Sequence, residues 1–389
     1  MTETCNRYYS TRYFLSTRDR NKQSATHKVG IKAILFSLFI NLTHCCNLDC
    51  SICLVKSDLS SRKKQELDTR TIKQILDEAA SLGALNVGFS GGEPLLREDF
   101  EDVYVYAIKK GFLVSIYSNI TLLTSSTLDL FQRYPPDRIQ VSVYGLSREI
   151  YEKVTRVPGS FDSFMNNLAG LRERRIRLSL QFTLCSSNEK ECEHFIHSFP
   201  KKDYELKNAT IYLYKHMRSD ARRNALIEQV MLPPAKMAYY VFKYQFSSRM
   251  GFLFSPSDRR KIRGQNKLFW RCLKDIETLS ISPSGECCFC YEMPVPENRR
   301  QYKPGKLKEI VRVLLEEKKN AIMPDIECRD CPNLLYCEWC PLYAYVFMGK
   351  LAPIPYFCEV MKELNLLGVP MLTEEVIYAG KEKEQKEKV

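Results

Sequence analysis

Three thiols, Cys46, Cys50 and Cys53, follow a C-x3-C-x2-C spacing in the stretch Cys46-Asn47-Leu48-Asp49-Cys50-Ser51-Ile52-Cys53. The stretch comes directly after an apolar run, Ile34 to Leu42, that reads as a buried strand. Such spacings let one tight loop aim three thiolates at a single centre. Three is one short of the set that a closed iron–sulfur cubane takes, so one iron would stay open to a small-molecule ligand. Three buried structural thiols, or a three-thiolate zinc site with a distant fourth ligand, would show the same letters.

A second stretch, Asn86-Val87-Gly88-Phe89-Ser90-Gly91-Gly92-Glu93-Pro94, ends an apolar strand in two glycines, a glutamate and a proline. Glycine lets a backbone come close to a ligand, and the Glu93 carboxylate can hold a ligand ammonium. Its plain alternative is an ordinary strand-to-helix turn. A third group fills the last part of the chain. Cys272 is followed by twelve residues, Gly285, four residues and Cys290. Then come Cys328-x2-Cys331-x5-Cys337-x2-Cys340 and, seventeen residues later, Cys358. Ser282 to Gly285 reads as a hairpin turn. Pairs spaced C-x2-C also suit zinc.

The three-cysteine loop after a first strand, with Gly91-Gly92-Glu93 one βα unit later, resembles the radical S-adenosylmethionine (SAM) enzymes. In that family the open iron of a [4Fe-4S] cluster is chelated by the amino and carboxylate groups of SAM, and the Gly-Gly-Glu stretch grips the amino group. The resemblance implies that Cys46, Cys50 and Cys53 hold this cluster. It also implies SAM contacts from Gly91, Gly92, Glu93, Ser118, Asn119, Ser142, Arg156 and Thr183. Of these, Arg156 is a carboxylate clamp candidate because guanidinium pairs with carboxylate in a bidentate way. One departure is Ile52, where the family often has an aromatic residue; this changes how adenine would be packed.

The C-terminal cysteines are similar to the SPASM domain, an extension that carries two auxiliary [4Fe-4S] clusters. By that resemblance Cys272, Cys290 and Cys340 serve an inner cluster, and Cys328, Cys331, Cys337 and Cys358 an outer one. Cys287 or Cys288 would supply a fourth inner ligand; otherwise substrate binds the open iron. Two residues separate Cys337 from Cys340 where the family typically has three. The remaining Cys5, Cys45, Cys185 and Cys192 read as buried or free thiols.

The resemblance implies reductive cleavage of SAM to a 5′-deoxyadenosyl radical, which takes hydrogen from a substrate. SPASM members mostly act on ribosomally made peptides or proteins, so a peptide maturase forming a crosslink is the expected function. An electron donor of the flavodoxin or ferredoxin type goes with it. The sulfatase-maturing branch fits poorly, since Tyr291 rather than an acid follows Cys290. A small molecule, such as a tetrapyrrole or antibiotic precursor, is the alternative substrate. The short N-terminal arm favours that alternative, or else requires a separate peptide-recognition protein. A non-enzymatic iron–sulfur electron carrier is a third reading, opposed by the intact Gly91-Gly92-Glu93. Tyr144, Cys288 and Tyr291 are candidates for catalytic groups only by their strand-end or cluster-adjacent positions.

The chain has 389 residues, 44% of them hydrophobic, enough for two to three domains. Sixteen cysteines with no secretory leader point to a reducing cytoplasm, where clustered thiols are metal ligands. No apolar run is long enough to span a bilayer, so no membrane partner is expected. The net charge of +12 permits an acidic partner without naming one. Basic clusters at Asp220–Arg223 and Arg259–Arg263 flank an aromatic helix, Pro234–Phe246, but no nucleic-acid motif accompanies them. No nucleic acid partner is expected.

These groups have to be positioned by alternating strands and helices. Strands are expected at Asn86–Ser90, Leu113–Ser118, Arg138–Val143, Ile176–Thr183 and Thr210–Tyr214. Helices are expected at Asp68–Leu82, from Phe100 to Gly111, and at Ser126–Tyr134, Phe161–Arg174 and Asn188–Ser198. The fold class is therefore α/β, a parallel sheet with helices outside and its site at the carboxyl ends of the strands, and the count of six βα units resembles the partial (β/α)6 TIM-like barrel of the radical SAM fold. A small cysteine-rich α+β SPASM domain follows. The expected divisions are a 1–30 arm, a 31–215 barrel, a 216–270 bridge, the 271–360 auxiliary-cluster domain and a 361–389 helix with a charged tail.

Overall fold

The computed structural model describes residues 35–53, 66–200, 202, 205–210, 221–243, 278–289, 299–320, 326–333, 337, 339 and 341–368. The chain divides into two compact units. One comprises Tyr9–Met231 with Cys272–Glu317; the other comprises Met1–Tyr8, Leu232–Arg271 and Lys318–Val389.

The first unit is built on strands β1 (Ser37–Asn41), β2 (Asn86–Ser90), β3 (Leu113–Ser118), β4 (Arg138–Val143), β5 (Leu178–Thr183) and β6 (Leu206–Thr210). They pair in parallel in sequence order. Helices α1 (Thr69–Ser81), α2 (Phe100–Lys109), α3 (Ser125–Arg133), α4 (Arg148–Thr155), α5 (Ser160–Glu173) and α6 (Glu189–His197) fall in the connections. This is the expected alternation. α1 starts at the expected residue because the Asp68 carboxylate accepts from the Thr71 N–H at 2.7 Å, satisfying an orphan donor of the first turn. Its buried stripe is Ile72, Ile75, Leu76 and Ala79.

The strands alternate, unlike the continuous apolar runs of a sheet covered on both faces. Leu38, Val87, Val114, Ile139 and Leu178 belong to one buried face. Phe39, Gly88 and Tyr117 share the other, since a Cβ at Gly88 would lie 2.7 Å from the Phe39 ring and 3.2 Å from that of Tyr117. Ser115, Gln140, Ser142 and Gln181 continue this second face by register. Apart from the Phe39 and Tyr117 rings, this second face is polar, and the first is apolar.

Three further strands extend the sheet beyond β1. β7 (Thr278–Ile281) pairs with β1 in parallel, Ser37 opposite Thr278. β8 (Glu286–Cys288) and β9 (Arg300–Gln301) follow antiparallel. The expected turn, Ser282 to Gly285, joins β7 to β8, with Gly285 at φ +86°. The hairpin is therefore continuous with the barrel sheet, and Cys272–Glu317 belongs to the same compact unit as the parallel strands. One carboxylate fastens it. Glu78 on α1 accepts from the Tyr302 hydroxyl at 2.6 Å, the Gly305 N–H at 2.8 Å and the Leu307 N–H at 2.9 Å. Leu307 opens helix α9 (Leu307–Asn320), so Glu78 caps a helix start on another element.

Between them lie α7 (Ala221–Val230) in the first unit and α8 (Pro234–Val241) in the second. In the second unit α10 (Pro341–Met348) and α11 (Pro355–Leu366) complete the described helices. α8 packs against α11, burying Met237 and Val241 on one and Val360 and Leu364 on the other. Tyr356 donates to the Leu232 carbonyl at 2.8 Å, and the Trp339 indole to that of Ala352 at 2.9 Å.

Three expectations are corrected. The described sixth strand, Leu206–Thr210, begins before the expected Thr210–Tyr214, its register set by pairing with Ser179–Thr183; residues 211–220 lie outside the described residues. The aromatic helix ends as α-helix at Val241, where the backbone widens into a π turn at Phe242 and Lys243. Helix α4 was not foreseen, since its buried apolar positions, Tyr151 and Val154, are only three apart and frame charged residues.

Glu78→Ala is expected to lower stability by about 2–4 kcal/mol, the loss of several charge-assisted hydrogen bonds at once. Urea denaturation measures this, and an unchanged midpoint would refute the anchoring role.

Candidate active site

The carboxyl ends of the parallel strands present the expected groups together. The cysteine loop leaves β1 and is tied down at both ends. At its start, Gly92 N–H donates to the Thr43 carbonyl and Glu93 N–H to the Cys45 carbonyl, both at 2.8 Å. A Cβ at Gly92 would sit 2.0 Å from the Cys45 carbonyl oxygen, and one at Gly91, at φ +137°, 2.5 Å from that of Thr43. No side chain fits in either place. The two glycines thus bring one motif's backbone against the other's. Glu66 adds a clamp, accepting from Thr43 Oγ1 at 3.0 Å and His44 N–H at 2.7 Å.

Further along, the loop rests on the end of α4. Asp49 N–H donates to the Thr155 carbonyl at 3.1 Å and Ser51 N–H to that of Val154 at 2.8 Å. Carbonyls that a helix C-terminus leaves unpaired are thereby satisfied. Beneath the loop Leu48, Cys50 and Ile52 join Val154, Cys185 and Ile227 in one buried cluster, which Cys46, Cys53 and Tyr144 flank. Ile52 is buried in that core, 4% exposed, so its side chain serves packing.

Glu93 is 1% exposed. Its carboxylate accepts from Ser118 Oγ and Asn119 N–H, each at 2.8 Å, and from Leu95 N–H at 3.2 Å. Among the described residues it forms no ion pair with a lysine or arginine. Burial pushes its carboxyl up to about 7, against the pull of the Asn119, Ser118 and Leu95 hydrogen bonds. Asn119 couples this carboxylate to the thiols: its side-chain amide donates to Asn47 Oδ1 at 3.0 Å and lies 3.9 Å from Cys46 Sγ. Asn47 in turn donates to Thr121 Oγ1 at 2.7 Å.

Burial pushes the Cys46 thiol up to about 12 and Cys50 well above its usual range, with the neighbouring loop thiols adding to both. A hydrogen bond from Tyr144 works the other way on Cys50. Loading a metal centre here must expel protons from buried thiols. Among the described residues no three His, Cys, Asp or Glu crowd one ion position. The fit therefore rests on the donor set, three thiols of one loop that can each take a separate iron of a cubane.

The other expected residues are placed as follows. Arg156, at φ +61° just past α4, pairs with Asp49 of the cysteine loop at 3.4 Å. Ser142 is on the polar face near the end of β4 and hydrogen-bonds Tyr144. Thr183 ends β5, and its carbonyl and that of Tyr144 both accept from Asn188 Nδ2, at 2.8 and 3.0 Å. Glu66, Asn47, Thr121 and Asn188 were missed, because nothing in the local sequence marks a polar side chain as a long-range tie. Of the hairpin thiols, Cys287 and Cys288 are consecutive and point to opposite faces. Cys287 is fully buried on the side of Glu78, and Cys288 stands beside Ser280 on the polar face. In the second unit Cys328, Cys331, Cys337 and Cys358 are described, and Cys331 acts electrostatically on Cys358. Cys272, Cys290, Tyr291 and Cys340, like Cys5, lie outside the described residues.

A thiol trio after the first strand and a glycine-held carboxylate after the second are thus brought together, and the Radical SAM superfamily profile matches residues 40–199, which contain both. The chain is 31% identical over 160 residues to the PqqA peptide cyclase of Ruegeria pomeroyi, 41% of this chain and 42% of that protein. It is 31% identical over 151 residues to the Fe-coproporphyrin III synthase of Methanosarcina barkeri, 39% and 37% of the two chains. The chain therefore matches well under half the length of either relative. Across most of its length the fold is similar to SuiB of Streptococcus suis bound to the precursor peptide SuiA, with a TM-score of 0.58 and 15% identity over 89% of this chain and 80% of that one. It is also similar to anSMEcpe with bound AdoMet and the Cp18Cys peptide, with a TM-score of 0.59 and 17% identity over 85% and 96%. Among the described residues no helix is long and apolar enough to cross a membrane.

Gly92→Ala is expected to cut iron incorporation on anaerobic reconstitution several-fold and to lower stability by about 1–3 kcal/mol through overpacking. Iron analysis and a thermal melt check both. A variant that fills with iron normally would show that the close approach is dispensable.

Proposed function

We propose that this protein is a radical SAM enzyme that modifies a ribosomally made peptide or protein. The observation that carries the reading is Glu93: a buried carboxylate without a cationic partner among the described residues, tied through Asn119 to the thiol loop. A bound [4Fe-4S] cluster with SAM supplies a carbon-centred radical able to take hydrogen from an unreactive C–H bond. The chain's own residues prepare for it. Cys46, Cys50 and Cys53 offer three thiolates and leave one coordination position for SAM. Glu93 receives the SAM ammonium, and Ser118 and Asn119 hold the carboxylate in place. Ser142, Thr183 and Arg156 stand at neighbouring strand ends, where the rest of SAM would extend. Cys328, Cys331, Cys337 and Cys358 would hold an outer auxiliary cluster, and Cys272, Cys290 and Cys340 an inner one, with Cys288 the hairpin thiol on the polar face.

The peptide substrate is supported by the PqqA peptide cyclase relatives and by the likeness to two proteins solved with peptides bound. An electron donor of the flavodoxin or ferredoxin type and a separate peptide-recognition protein belong to the same reading. An Fe-coproporphyrin III synthase and an AdoMet-dependent heme synthase are also among the relatives, so a tetrapyrrole is the second substrate class to test.

Anaerobically reconstituted protein is expected to cleave SAM under reductant. Co-expression with candidate precursor peptides is expected to shift the peptide mass. Zinc in place of iron and sulfide, or no SAM cleavage, would overturn the reading; turnover of a coproporphyrin and of no peptide would move it to the second class.

A pH dependence follows from Glu93. Its carboxyl must lose a proton to hold an ammonium, and burial puts that proton's release near 7. SAM affinity is expected to be full above that pH and to fall about tenfold per pH unit below it. Equilibrium binding from pH 5.5 to 8 measures this, and Glu93→Gln should bind weakly and without the slope.

A further inference from the structure

Tyr151 is the large buried side chain at this site that the proposed chemistry leaves without a task. It lies on α4 and is fully buried. Its ring is held from three sides: edge-on to Tyr144 with centroids 5.7 Å apart, tilted to Phe161 at 5.6 Å and stacked on Phe164 at 4.9 Å. A Cβ at Gly145 would lie 2.6 Å from the Tyr151 backbone nitrogen, so the helix backbone is also seated closely. The ring cannot swing, and its hydroxyl is therefore fixed. That hydroxyl has no hydrogen-bond partner among the described residues. Phenylalanine would fill the same space without the cost of burying an unpartnered hydroxyl. Cys50 and then Glu93 are the ionisable groups near enough to act on it electrostatically. These are the two sides of the candidate site. Burial holds the phenol far above its usual range, so it stays protonated and is available as a donor. Tyr144, whose ring it touches, already hydrogen-bonds Cys50.

We propose that the Tyr151 hydroxyl, alongside that of Tyr144, donates a hydrogen bond to the sulfur side of a cluster held by Cys46, Cys50 and Cys53 and thereby raises that cluster's reduction potential. The inference rests on reading the loop as the SAM-binding cluster site. A reduced cluster carries one more negative charge than the oxidised form. A donor aimed at its sulfur stabilises that extra charge, in a corner from which water is excluded. Tyr151 is thus a positioning residue for electron uptake. It needs no proton transfer of its own.

Tyr151→Phe removes the hydroxyl and keeps the ring. Wild type and variant are reconstituted anaerobically with iron and sulfide. The cluster whose EPR signal changes on adding SAM is identified, and its potential is titrated without SAM. The reduction equilibrium constant is expected to fall about tenfold, or about 59 mV for a one-electron couple, with SAM affinity within about twofold of wild type. 3-Fluorotyrosine incorporated at position 151 is a stronger donor of nearly the same shape and is expected to move the potential upward. This second probe decides the question if the phenylalanine variant fails to fold. Unchanged potentials overturn the proposal. So does weakened SAM affinity at an unchanged potential, because the hydroxyl then serves the SAM carboxylate. If wild type takes up no SAM-responsive cluster, the functional reading itself falls, and this inference with it.

Discussion

The site depends on a backbone contact with no room for a side chain. Gly91 and Gly92 lie against the carbonyls of Thr43 and Cys45 at distances that a Cβ would violate. That contact turns two motifs from separate βα units into one body. Ligands for a metal centre and a receptor for an ammonium must stand in fixed relation if one small molecule is to engage both. Side-chain hydrogen bonds alone would leave that relation soft. Two main-chain bonds at 2.8 Å, enclosed by the close approach, make it stiff.

Around this contact the protein keeps charge dry. Glu93 and Cys50 are buried, and burial displaces both, and Cys46, toward the neutral form. Without ligands the site is electrostatically uncomfortable: a carboxylate without a cation beside thiols that resist ionisation. On the proposed function, a metal centre and a cationic amine would relieve both together. The cost is carried by the surrounding packing, where α4 supplies its terminal carbonyls to the loop and an aromatic group around Tyr151 backs the thiols.

Much of this was legible in the sequence. The parallel strands, their polar–apolar alternation and the placing of Cys46, Glu93, Ser118 and Asn119 at strand ends follow from periodicity and motif position. The role of the glycines was only half legible. Their need for space was clear, but the space is taken by the cysteine loop's own backbone. Helix α4 was not legible, because an eight-residue helix with two apolar anchors carries too little period. With it went Tyr151 and the carbonyls under the loop. Long-range ties such as Glu78 to Tyr302 and Asn188 to Tyr144 depend on register between distant segments, which local composition does not encode.

The pairing of β1 with β7 sets an order of events in time. β1 stands near the start of the chain and β7 far toward its end, so their union closes a very long loop. The entropy of that closure grows only slowly with length, yet contacts so distant in sequence form late. During synthesis β1 therefore has its β2 neighbour well before β7 emerges. Until then one flank of the strand that leads into the thiol loop has no partner, and the loop's anchorage rests on the β2 side and on α4 alone.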